Sequence, residues 1–141
     1  MRKLILFLIV LCFMPVSADE TGRFQEKDVS SEIIVIDRKT TLQWTKSTVS
    51  GKTWQGAIDY CNGLTYAGYS DWKLPDIYQL RTLINSEKYN PASDFPGISS
   101  NYFWSSSVYV YNIEYAWLVL FSRGSVVYDG KAYTFLAMCV R

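Results

Sequence analysis

The chain contains no histidine. That absence removes Ser-His-Asp and Cys-His nucleophile systems and histidine-based zinc and iron sites, so any catalysis would have to rest on carboxylates. No apolar run is long enough to span a bilayer. The N-terminal one, Leu4 to Val16, holds 13 residues, whereas a spanning helix needs ~20. Charge of one sign is not in excess either, since the whole chain carries a formal +1. A near-neutral balance argues against a general nucleic-acid binder. Cysteine is scarce, with three in 141 residues.

What is present begins with a targeting pattern. Met1, Arg2 and Lys3 form a short basic region ahead of the apolar run, and Pro15 is followed by Val16-Ser17-Ala18, a small-residue cleavage pattern. Residues 1–18 are therefore expected to be a secretory signal cut before Asp19, leaving no transmembrane anchor. An uncleaved anchor and a lipoprotein signal at Cys12 are the alternatives, and Leu11 is too large for the second. Loss of Arg2 and Lys3 from 14 basic side chains leaves 12 against 13 acidic ones, so the mature chain would be near −1. Its 123 residues suit one domain with a real core. The expected location is periplasmic or extracellular. In an oxidising compartment Cys61 and Cys139, the pair left after Cys12 is lost, are expected to form a disulfide. Two free buried thiols are the alternative.

Residues 19–31 are polar and lack apolar periodicity, and read as a mobile leader or ill-ordered first turn. The domain is expected over 32–141. Ile33 to Ile36 and Thr41 to Trp44 read as a hairpin about Asp37 to Thr40, and 46–52 as a polar loop. Thr53 is a helix N-cap ahead of Trp54, Ala57, Ile58, Cys61 and Leu64 at helical spacing, with Asn62-Gly63 as the stop. Pro75-Asp76 opens a second helix with a capping box to Gln79 and a buried face of Ile77, Leu80, Leu83 and Ile84. Residues 90–101, broken by Pro91, Pro96 and Gly97, predict a shaped loop. Strands follow over 102–106, 115–121, 125–128 and 134–140, with reversals at 122–124 and 129–130. Two helices followed by an antiparallel sheet make an α+β domain.

An ordered set of motifs carries a family resemblance. Thr53-Trp54-Gln55-Gly56-Ala57-Ile58-Asp59-Tyr60-Cys61-Asn62, Gly68-Tyr69-Ser70-Asp71-Trp72-Lys73-Leu74-Pro75, Phe103-Trp104-Ser105-Ser106-Ser107, Ala116-Trp117 through Phe121, Gly124-Ser125-Val126 and Cys139-Val140-Arg141 follow in sequence. Together they resemble the Lcl C-terminal domain family, the C-terminal domain of bacterial collagen-like adhesins. That family is in turn similar to C-type lectin-like folds and, distantly, to formylglycine-generating enzymes. The resemblance implies a C-type lectin-like fold, with two short helices packed on a twisted antiparallel sheet and a cystine joining the first helix to the last strand, where Cys61 and Cys139 fall. It implies recognition of a glycan or sulfated polysaccharide; a protein of the bacterial envelope is the alternative partner, independent of the resemblance. Gly-x-y repeats are absent from this chain, and with them any stalk-driven avidity.

The redox cysteines of a formylglycine-generating enzyme are not matched, because Cys61 and Cys139 occupy structural positions. Asp71, Asp76, Asp94, Glu114 and Asp129 are the carboxylates open to glycan cleavage, but turn, cap and reversal roles suit Asp71, Asp76 and Asp129, and no catalytic residue is nominated. The calcium signatures Glu-Pro-Asn and Trp-Asn-Asp do not occur, and Asp94 alone is a thin basis for a hard-cation site; no cofactor or metal is expected. The tryptophans Trp44, Trp54, Trp72, Trp104 and Trp117 read as core. The connection 107–115 lacks a buried periodicity, so Tyr109, Tyr111, Asn112 and Glu114 are candidate ligand-binding residues. Among the cations Lys73, Arg81, Lys88, Arg123 and Lys131, Arg123 at a hairpin tip is the candidate partner for sulfate. A non-catalytic binding domain is the expectation, with a structural or protein-binding module and a carboxylate or oxygen-ligand metal enzyme as alternatives.

Overall fold

The computed structural model describes residues 22–141; the expected signal over 1–18 and the start of the leader lie outside them. The described residues form eight strands and two helices, as an α+β domain. Strands β1 (Phe24–Val29), β2 (Glu32–Asp37) and β3 (Gln43–Thr45) make one antiparallel sheet. Strands β4 (Val49–Lys52), β8 (Phe135–Ala137), β5 (Tyr102–Val108), β6 (Tyr115–Leu120) and β7 (Ser125–Gly130) lie side by side in that order in the second.

Three sequence expectations are corrected. Residues 24–29 are not a mobile leader but strand β1, paired along its length with β2. The reversal is two serines with positive φ, Ser30 at 55° and Ser31 at 71°, the geometry that matches strand twist in a two-residue hairpin, and Asp28 Oδ1 accepts the Ser31 N–H at 2.9 Å. Residues 49–52, expected in a loop, pair with β8. The larger sheet is mixed, because β5 and β8 run parallel through the Phe103 and Leu136 register.

Helix α1 (Trp54–Asn62) starts where Thr53 accepts the Gly56 N–H and stops at Gly63. Helix α2 (Ile77–Arg81) has its capping box: the Asp76 carboxylate accepts from Gln79 N at 2.7 Å, and the Gln79 side chain accepts from Asp76 N at 3.0 Å. The larger sheet separates two cores. Phe103, Val119, Phe121 and Met138 face Ile77, Leu80 and Leu83 of the α2 side together with Phe95 and Ile98 of the long loop. Trp104, Ala116, Leu118 and Ala137 face Ala57 and Cys61 of α1 with Trp72 and Leu74. A sheet covered on both faces needs apolar residues at successive positions, which is why β6 reads Ala-Trp-Leu-Val-Leu.

The C-terminal segment ties the parts together. Cys139 is bonded to Cys61 with Cα atoms 5.5 Å apart, so α1 is fastened to the strand end beneath it. Gln43 and Arg141 exchange backbone hydrogen bonds at 3.0 and 2.9 Å, and Val140 does the same with Lys73 at 2.9 and 3.0 Å. The Arg141 guanidinium lies over the Tyr69 ring at 3.7 Å and donates to Asp71 at 2.7 Å and to Gln43 at 2.6 Å.

The turn between β6 and β7 is docked under the long loop, with Ser122 accepting from Asn90 N at 3.0 Å and Phe121 from Ala92 N at 2.6 Å. Gly124 sits there at φ +68°, where a Cβ would meet Ile84 Cγ2 at 2.8 Å and Ala92 Cβ at 3.2 Å. Both the left-handed backbone and the overlap oppose a side chain. Gly124→Ala is expected to cost about 1–3 kcal/mol, read as a lowered urea midpoint at unchanged m-value.

Candidate functional site

Strand β6 directs Trp117 to the α2 side of the sheet, the side on which Val119 and Phe121 are covered. Its β7 partner is Tyr128, and Val126 stands opposite Val119. Directly opposed residues of an antiparallel pair share a face. Helix α2 has only five residues, and β7 is the edge strand, so the outer part of this face has no helix above it. Trp117 is consequently half-buried rather than core as the sequence suggested, and Tyr128 is 48% exposed. Trp54 is likewise half-buried, whereas Trp44, Trp72 and Trp104 are core.

The connection from β5 to β6 closes over this strip. Tyr109 stacks on Tyr128 with centroids 4.0 Å apart and planes within 10°, and meets the Trp117 ring edge-on at 5.2 Å. Trp117 and Tyr128 are 5.5 Å apart at 87°; Tyr111 adds a contact to Tyr109 at 5.5 Å. The neighbouring Tyr128 hydroxyl raises the Tyr109 phenol above its ordinary pKa. On the other side of Trp117, an open groove of about 210 Å³ runs between α2 and β7, lined by Ile77, Tyr78, Arg81, Trp117 and Val126. The result is a continuous aromatic surface with phenol hydroxyls along it and one guanidinium at its edge.

Of the residues singled out from sequence, Tyr109 and Tyr111 belong to this surface. Asn112 is used by its own loop, its Oδ1 accepting the Glu114 N–H at 3.0 Å, and the Glu114 side chain is exposed beside it. Arg123 is exposed at the far end of the β6–β7 hairpin, five residues from Tyr128, or about 16 Å along an extended strand. It is not brought to the tyrosines. Arg81 takes that place instead, and Trp117, Tyr128 and Tyr78 were also missed as surface residues; α2 being too short to cover an edge strand has no local sequence signal. Of the other cations, Lys88 is paired with Asp94, Lys131 lies over the Trp54 ring at 4.0 Å, and the Lys73 backbone is paired with Val140.

The carboxylates are dispersed into structural roles. Asp71 holds Arg141, Asp76 caps α2, Asp94 accepts from Asn85 and Lys88, and Asp129 accepts the Gly130 N–H. Its hydrogen bond from Lys88, then that from Asn85, keeps Asp94 below the ordinary carboxylate pKa. Among the described residues no three His, Cys, Asp or Glu side chains converge as a metal site, and no helix is long and apolar enough to cross a membrane.

These features define a small disulfide-closed α+β domain with an aromatic outer face. The sequence model of the Lcl C-terminal domain matches residues 33–141, and the chain belongs to that family. The match begins inside β2, leaving β1 before it. No curated protein matches the chain.

Proposed function

We propose that this is an exported, non-catalytic domain of C-type lectin-like type that binds a polysaccharide on the face built from Trp117, Tyr128, Tyr109, Tyr78 and Arg81. The observation that carries the reading is the half-exposed aromatic surface itself. Half-exposed rings held rigid by mutual edge and stacking contacts present flat apolar faces of the size of a pyranose ring, and the C–H faces of sugars pack on such surfaces while their hydroxyls reach the phenols. Arg81, at the groove edge, supplies charge-assisted hydrogen bonds to a sulfate or carboxylate on the chain, and Arg123 offers a more distant second contact. The disulfide that fastens α1 to the C-terminal segment supports both the lectin-like reading of the fold and export.

Binding to neutral and sulfated glycans is to be measured by array and isothermal titration on the oxidised protein, with and without calcium, at low and physiological salt. Binding that weakens with salt is expected for sulfated chains. Arg81→Ala should weaken it about tenfold or more with little change in melting temperature, since that side chain is exposed, and Tyr128→Ala should weaken it as much while lowering the melting temperature through loss of its ring contacts. Absence of binding to every glycan, or binding indifferent to both substitutions, contradicts the proposal.

A further inference from the structure

Beyond the aromatic strip, the tip of the β5–β6 loop carries three adjacent apolar side chains that stand almost free: Val110 is 79% exposed, Tyr111 86% and Ile113 71%. Isolated exposed apolar residues need no explanation, but a cluster of this kind marks a contact surface. The tip is held in shape by its own backbone. Tyr109 N donates to Tyr115 O at 2.9 Å, Asn112 N to Tyr109 O at 3.2 Å and Tyr115 N to Asn112 O at 3.0 Å, while Glu114 N is taken by the Asn112 side chain. Those amides therefore need no water.

The chemistry is graded away from the apex. The turn after β7 lies alongside, with Lys131 N donating to Glu114 O at 2.8 Å, and it adds Tyr133, also well exposed. Tyr109, Tyr115 and Tyr133 thus surround the base, where Glu114 and Lys131 supply one charge of each sign. An apolar apex, a collar of phenols and a base of mixed charge match the profile of a bilayer interface, in which tyrosine sits at headgroup depth.

We propose that the 109–115 loop, with Tyr133, is an interfacial membrane contact that inserts its apex among zwitterionic phospholipids and leaves the glycan face open beside it. Insertion at this depth is shallow and reversible. Glu114 and Lys131 offset each other at the base, so partition should change little as anionic lipid is added.

The test is partition of the protein, produced from the full chain with its disulfide intact, onto phosphatidylcholine vesicles with and without phosphatidylglycerol. Val110→Ser/Ile113→Ser is compared with wild type carrying the same N-terminus, so any contribution of residues 4–16 is common to both. The expected result is a fall of about tenfold or more in partition for the double variant, with unchanged glycan binding. Should that variant fold poorly, Val110→Ser alone supplies the same comparison at an exposed position outside the glycan face. No binding to vesicles, or equal partition of wild type and variants, overturns the proposal. So does a loss of self-association by light scattering in the variants, which would give the tip to a second copy of the chain. Glycan binding is read separately, so failure here and failure of the glycan-face proposal are distinguishable.

Discussion

Reduction of the Cys61–Cys139 disulfide is expected to be the single most damaging change to the folded state. The bond closes a sequence separation of 78 residues, for which the chain-entropy model gives about 4.5 kcal/mol. Both sulfurs lie in the core shared by α1 and the larger sheet. The bond fastens the helix to a segment that also pairs with β3 and with Lys73, so its loss loosens both sheets. For a domain of this size, several kcal/mol is a large part of the total stability. Comparing urea unfolding of the oxidised protein with that of Cys61→Ala/Cys139→Ala should show a midpoint lowered by the equivalent of about 3–5 kcal/mol. Equal midpoints would mean that packing alone holds α1 against the sheet.

Removal of the Asp37 carboxylate is expected to follow closely. Asp37 ends β2 with its side chain fully buried, accepting from Arg23 Nε at 2.8 Å and Nη2 at 2.6 Å, from Thr40 Oγ1 at 2.8 Å and from Lys39 N at 3.0 Å. Asp37→Ala strands the guanidinium and two other donors at once, and breaking a buried pair this way costs about 3–5 kcal/mol; because Arg23 keeps some access to solvent, the lower end is expected. Burial pushes the Asp37 pKa up, but the hydrogen bonds from Arg23, Thr40 and Lys39 outweigh it, and the net displacement is downward. A carboxylate whose folded pKa lies below its unfolded one stabilises the fold fully above the unfolded value. That contribution disappears as pH falls through the folded value. Stability should therefore drop on acidification below about pH 4, and Asp37→Asn should flatten that part of the urea-midpoint profile. An unchanged acid limb in the variant would assign the loss to other carboxylates.

Much of this fold was readable because local chemistry and burial agree. Thr53 and Gly63 bound α1, the Asp76 and Gln79 box opens α2, and the hairpin about Asp37 to Thr40 falls where its turn residues stand. Strand β1 was missed because only Phe24 of its six residues is buried, and its turn is Ser-Ser rather than an Asn-Gly type. Strand β4 contains Ser50 and Gly51, poor strand formers that β8 nevertheless pairs. The candidate site was legible in part. The tyrosines of the 107–115 connection stood out by lacking periodicity, but Trp117 alternates like a core residue, and its exposure depends on where α2 ends. Arg123 looked favourable as a hairpin-tip cation, yet the hairpin carries it away from the tyrosines while α2 brings in Arg81.

The measurement that bears most directly on the glycan face is a titration of the isotope-labelled oxidised protein with a sulfated oligosaccharide, followed by amide and indole NMR shifts. The aromatic strip predicts that changes concentrate at the Trp117 indole and at Tyr128, Tyr109, Tyr78 and Arg81, with α1 and the β1–β3 sheet undisturbed. Shifts centred on α1 or on the β1–β3 sheet, or none at saturating ligand, would contradict it.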